Sequence, residues 1–126
     1  MTEYVVLLPG NEETWATTSA EEKQRVYGKH REFQAALAER GHKITGGAEL
    51  HHSREAKVVR PGAGGLQITD GPYAESAEQL TGFYVVETSD LDDMLKCVGV
   101  LAEGESGGVE VRECVPMSDP NAGATA

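Results

Sequence analysis

Cations are scarce in this sequence. Only 11 Lys and Arg residues stand against 21 Asp and Glu, a formal net charge of -10. With no basic patch to meet phosphates, nucleic acid is excluded as the expected partner, and the same sign disfavours an anionic membrane surface. Long apolar runs are missing too: nothing approaches the roughly 20 residues that a spanning helix needs. The N-terminus shows no basic segment ahead of an apolar one and no small-residue cleavage site. No secretory leader is therefore expected, and the expected setting is cytoplasmic. Cysteine is limited to Cys97 and Cys114. They lack metal-type spacing and read as reduced, apolar fillers. No carboxylate or thiol stands at ligand spacing from His42, His51 or His52, so a metal site is not expected, nor is any cofactor.

What remains is an ordinary globular composition, 39% hydrophobic over 126 residues, enough for one domain with its own core. That domain is expected over residues 1–115, with 116–126 a disordered tail. Glu3 to Leu8 reads as a strand apolar on both faces: Tyr4, Val6 and Leu8 on one, Val5 and Leu7 on the other. The following loop carries the single Trp, Trp15, expected to anchor it. Ser19 to Glu22 fits a capping box for a helix running to about Arg40 and stopping at Gly41. Its apolar stripe is Val26, His30, Phe33 and Leu37, with an imidazole where a leucine is the usual occupant. Lys43 to Leu50 reads as a strand loosened by Gly46-Gly47.

Ala56 to Arg60 and Leu66 to Thr69 form a hairpin around a glycine-rich tip. Gly82 to Thr88 is a second strand apolar on both faces. Ala74 to Leu80, before it, reads as one polar helical turn. A helix from Ser89 or Asp90 presents Leu91, Met94, Leu95, Val98, Leu101 and Ala102, with Cys97 at its edge. Gly108 to Val115 closes the domain. Two helices with one stripe each cover one face of an antiparallel sheet, which is the split β-α-β, ferredoxin-like arrangement with an added hairpin. The first and central strands then leave apolar residues on the other face. Packing two such faces about a twofold gives the expected fold: a dimeric α+β barrel, with a second copy as partner.

One carboxylate stands out. Asp70 ends the hairpin at Asp70-Gly71-Pro72 and shares the parity of Leu66 and Ile68, which would set it on the apolar side and in need of a partner; the plainer reading of the residue by itself is that it only caps its own turn.

The stretch D-G-P-Y-A-E-S-A-E-Q-L-T-G-F-Y-V-V (70–86) resembles the YCII-related family, in its DGPF-type branch. The likeness extends to H-R-E-F (30–33), the V-V-R before the hairpin tip, D-L-D-D at the second helix and G-V-E-V-R near the end. Tyr73, Ser76-Ala77 and Thr81 depart from the family pattern. The resemblance implies a ferredoxin-like α+β fold, dimerisation, and a His–Asp dyad at His30 and Asp70. It also implies a regulatory context in some members, associated with extracytoplasmic-function sigma factors.

A carboxylate on one ring nitrogen of His30 would set its tautomer and leave the other nitrogen to move a proton. Ser76 has no elbow motif, so an acyl-enzyme is not favoured. The expected chemistry is cofactor-free acid/base transfer on a small molecule, of lyase, isomerase or dehydrohalogenase type, with Tyr73, Glu75, Arg60 and Tyr84 as candidate binding residues. The alternatives are a purely structural His30–Asp70 pair and a non-catalytic module that binds a small ligand or a regulatory protein.

Overall fold

In the computed structural model, which describes residues 1–103 and 108–117, the order is β1 (Thr2–Gly10), α1 (Glu12–Ala16), α2 (Ala20–Glu39), β2 (Lys43–Glu49), β3 (Lys57–Gly62), β4 (Gly65–Asp70), β5 (Gln79–Thr88), α3 (Leu91–Ala102) and β6 (Glu110–Glu113). Four strands form one sheet in the order β2-β5-β1-β6, and among the described residues β3 and β4 pair with each other in a separate two-stranded sheet. Both β5 and β6 run antiparallel to β1, as β2 does to β5. The β1-α2-β2 and β5-α3-β6 units therefore interlock, each lending a strand to the space between the other's two. This is an α+β fold with a four-stranded antiparallel sheet, a separate hairpin and helices. Of the tail expected to be disordered, 116–126, residues 118–126 lie outside the described residues.

Alternation along β1 and β5 decides what the helices cover. Val6 and Val86 are fully buried beneath Phe33 and Leu37 of α2 and Met94, Val98 and Leu101 of α3, with Tyr4, Leu8 and Tyr84 packed at the margin. The opposite parity (Val5, Leu7, Phe83 and Val85) is only half-buried and, among the described residues, takes no part in the helix-covered core. Cys97 lies inside this core, 3% exposed, rather than at the edge of its helix. Both cysteines are free.

Helix α2 starts as its cap predicts, with the Ser19 hydroxyl accepting from the Glu22 N–H at 3.1 Å. The reciprocal half of the capping box is not made. The Glu22 carboxylate turns to Arg25 instead, at 2.6 Å, because a guanidinium one turn on offers a charge-assisted bond. The helix ends through Arg40, and Gly41 takes a φ of +82°.

Two expectations about loops need correcting. Residues 74–78 form no helical turn; the Gln79 side chain bonds the Ala74 carbonyl at 2.9 Å and β5 begins there. The segment after β1 is partly helical, with Asn11 capping α1 through Thr14 N–H at 3.1 Å. In β2 the register slips between Ile44 and Gly46. A Cβ on Gly47 would lie 2.7 Å from the Phe83 carbonyl oxygen, so glycine there lets β2 close on β5 beside Tyr84.

Candidate functional site

The edge formed by β2 and β5, the inner side of α2 and the short α1 enclose a cleft of about 1010 Å³. His30 and Gln34 enter it from α2, Tyr84 from β5, Glu49 from β2 and Trp15 from α1. His30 Nδ1 lies 2.7 Å from Tyr84 Oη, and the Gln34 amide donates to the same oxygen at 3.2 Å. Phe33 supports the phenol from below, its ring centroid 5.1 Å away at 58°. The helix spacing explains this cluster. Residues 30, 33, 34 and 37 fall on one face of α2, so the core that fixes Phe33 and Leu37 also fixes His30.

Burial lowers the proton affinity of His30 below its ordinary value of 6.5, with Glu49 pulling weakly the other way. The ring is thus neutral at pH 7, with one nitrogen a donor and the other an acceptor. Nδ1 is engaged by Tyr84, while Nε2 makes no hydrogen bond among the described residues. When Tyr84 donates, Nε2 carries the ring proton and can deliver it. When Nδ1 donates, Nε2 presents a lone pair and can accept one.

The cleft wall is aromatic and acidic. Trp15 meets Tyr27 edge-on, centroids 5.8 Å apart at 88°, so Trp15 lines the cleft as well as holding its loop. The Tyr27 hydroxyl donates to Glu49 at 3.0 Å; burial first, then that carboxylate, raises its pKa. Glu12 ties α1 to the turn after β2 through the Ser53 N–H at 2.6 Å. Burial alone raises the Glu12 pKa, but the bonds from the Ser53 side chain and backbone outweigh it and the net shift is downward.

Of the six site residues expected from sequence, His30 and Tyr84 line this cleft. Arg60, Asp70, Tyr73 and Glu75 do not. The expected His30–Asp70 contact is not made within the chain. Asp70 ion-pairs instead with Lys57 across the hairpin, its side chain 78% exposed. The inference from parity failed because Leu66 and Ile68, which share that face, are themselves 77% and 64% exposed: the hairpin's apolar side is not the core. Tyr73 is also exposed and lies against Arg60, whose Cζ is 5.6 Å from the ring centroid.

A second titratable pair, absent from the sequence reading, sits at the far end of the sheet. His42 is buried, with Nδ1 2.7 Å from Thr88 Oγ1 and Nε2 2.8 Å from Asp93. Arg40 also reaches Asp93, at 2.9 Å. Arg40 first, then His42, holds the Asp93 carboxyl down at about 2. The cluster clamps the end of α2 to the start of α3. His42 follows the helix stop and Asp93 belongs to D-L-D-D, but only the fold brings them together.

The sign of the resulting pH dependence follows from the depressed value. Folding favours the Asp93 carboxylate, so its contribution is complete above the ordinary 3.8 and fades as pH falls through about 2. In urea titrations, Asp93→Asn should be less stable than wild type above that ordinary value, and the two should converge as pH drops toward the lower one. A gap independent of pH would contradict the assignment.

The fold and cleft define a small α+β domain with an imidazole–phenol pair beside an open pocket and a separate structural His–Asp clamp. The YCII-related domain model matches residues 2–118. The chain is also 35% identical over 111 residues to an uncharacterized protein of Rhizobium meliloti (strain 1021), a match covering 86% of this chain and 89% of that protein. The protein belongs to the YCII-related domain family. No described helix is long and apolar enough to cross a membrane.

Proposed function

We propose that this protein is a cytoplasmic homodimer that moves a proton on a small molecule held in the cleft, with His30 as the acid/base and Tyr84 as the group that sets its tautomer. The reading rests on one observation: a neutral, half-buried imidazole is bonded through Nδ1 at 2.7 Å and has Nε2 free of protein partners among the described residues. Proton transfer of this kind requires no cofactor, and a lyase, isomerase or dehydrohalogenase-like step fits a single ring nitrogen acting on a carbon acid or its product. Asp70 does not serve as the orienting group in this reading, because Tyr84 occupies that role within the chain. The homodimer forms through the helix-free sheet face.

The paired aromatic wall of Trp15 and Tyr27 favours a second reading. In it, the cleft only holds a ligand and the domain signals to a partner such as an extracytoplasmic-function sigma factor. Observing His30 itself separates the two. NMR titration of its ring is expected to give a pKa below 6.5 that changes in Tyr84→Phe, and a cleft ligand found by thermal shift should perturb the His30 resonances. A ligand that stabilises the fold, leaves His30 unmoved and is not turned over would overturn the enzymatic reading in favour of the second.

A further inference from the structure

The walls of the cleft differ in how they are held. His30 and Gln34 stand on α2 and Tyr84 on β5, elements locked together by the core of Val6, Phe33, Leu37, Val86 and Met94. Helix α1 has no buried residue, yet Glu12, Thr14, Trp15 and Ala16 line the same cleft. Its hydrogen bonding is self-contained. Asn11 caps the first turn through the Thr14 N–H, and the Trp15, Thr17 and Thr18 N–H groups donate to the Asn11, Thr14 and Trp15 carbonyls. The Thr17 and Thr18 hydroxyls return to the Thr14 carbonyl as well, at 3.1 and 2.7 Å. Among the described residues, no backbone–backbone hydrogen bond joins 11–18 to another element, so this segment can swing as a unit with its own bonds intact.

Side chains tie it down. The Glu12 side chain is only 10% exposed; one of its oxygens accepts from the Ser53 N–H at 2.6 Å and the other from the Ser53 hydroxyl. His52 supplies a second tie. Its Nδ1 accepts from the Arg54 N–H at 3.1 Å, so the neutral ring carries its proton on Nε2, which donates to Glu13 at 3.0 Å. On the other flank Trp15 meets Tyr27 edge-on, and the Lys23 ammonium lies 5.2 Å from the indole centroid. Contacts of this kind open locally at far lower cost than a packed core.

We propose that α1 is a hinged lid on the cleft, latched to His52 and Ser53 by Glu12 and Glu13 and turning about Gly10–Asn11 and Thr17–Thr18. Opening carries Trp15 away from Tyr27 and widens the way to His30. Closure returns the indole to the cleft wall and shields the imidazole from water. The lid governs entry, so it is independent of whether the cleft turns its ligand over or only holds it.

Trp15 is the single tryptophan of the chain, and its fluorescence reports on the lid directly. His52→Ala combined with Ser53→Pro removes the donors to Glu12 and Glu13 while leaving the sequence of α1 untouched. Proline suits the first position of the short turn at 53–55, and the ψ of 141° at position 52 suits the residue before it. In the full wild-type chain, hydrogen exchange of 15–18 is expected to run well ahead of that of 33–37 and 83–88. In the double variant it should be about 10-fold faster again. Acrylamide quenching of Trp15 should increase with it. Carbethoxylation of His30 by diethyl pyrocarbonate, followed by mass spectrometry, should quicken by a similar factor while the urea midpoint holds. Wild-type exchange of 15–18 at the rate of the core shows a fixed wall and overturns the lid. So does a double variant whose exchange or quenching matches wild type, or one whose urea midpoint falls in step with them, since α1 would then belong to the cooperative core. Faster opening with no change at His30 also overturns it, because the segment would not control access to the ring.

Discussion

If the proposed acid/base reading holds, His30→Gln is expected to lower kcat by about 10²–10⁴-fold, the usual contribution of one positioned acid/base. The urea midpoint should move little. His30 is only half-buried, its one side-chain hydrogen bond among the described residues is to Tyr84, and glutamine can keep a polar contact with the phenol while offering no group that titrates near neutrality. The pH profile gives an independent check. Burial depresses the proton affinity of the ring, so the neutral form persists below the ordinary 6.5 and the acid limb of kcat/KM should lie on that side. Tyr84→Phe should keep the fold and show a smaller loss of the same kind, since Nδ1 loses its partner but the ring stays in place against Phe33. A glutamine variant with wild-type turnover and an unchanged acid limb would remove His30 from the mechanism.

The second large effect concerns the side chain beneath that pair. Phe33 is fully buried and touches the Tyr84 ring, so truncation both empties the centre of the core and withdraws support from the phenol. Phe33→Ala is expected to cost about 3–5 kcal/mol, a large share of the roughly 5–15 kcal/mol that holds a domain of this kind together. Urea denaturation measures it directly. Phe33→Leu retains most of the volume and should cost less, yet it still loosens Tyr84, so the His30 ring pKa should move in that variant even where the fold holds. A loss below about 1 kcal/mol for the alanine variant would mean that the core collapses around the gap and that Phe33 is not its keystone.

Much of this architecture was readable from local pattern. The spacing of Val26, His30, Phe33 and Leu37 placed His30 on the inner face of α2, and the structure has it there against Tyr84. The apolar residues on both faces of β1 and β5 signalled that two helices would leave one face uncovered, and the fold decided that Val6 and Val86 take the covered side. Gly46-Gly47 signalled the slip in β2. Parity misled at Asp70, because it tells which residues share a face and not whether that face meets the core. The hairpin's apolar side lies outside the sheet, and its carboxylate found Lys57, thirteen residues back in sequence but directly opposite in register. The His42–Asp93 clamp left no trace in any local window. Neither residue is unusual for its position: one follows a helix stop and the other lies in an acidic first turn.

The amino-acid order by itself determined the six strands, the two long helices with their apolar stripes and the one imidazole set among apolar neighbours, because those follow from side-chain periodicity within a few residues. Tertiary structure alone decided which polar groups meet: Tyr84 rather than Asp70 for His30, and Asp93 for His42. Hydrogen bonds act over about 3 Å, and residues separated by half the chain come within that range only after the sheet and helices have packed.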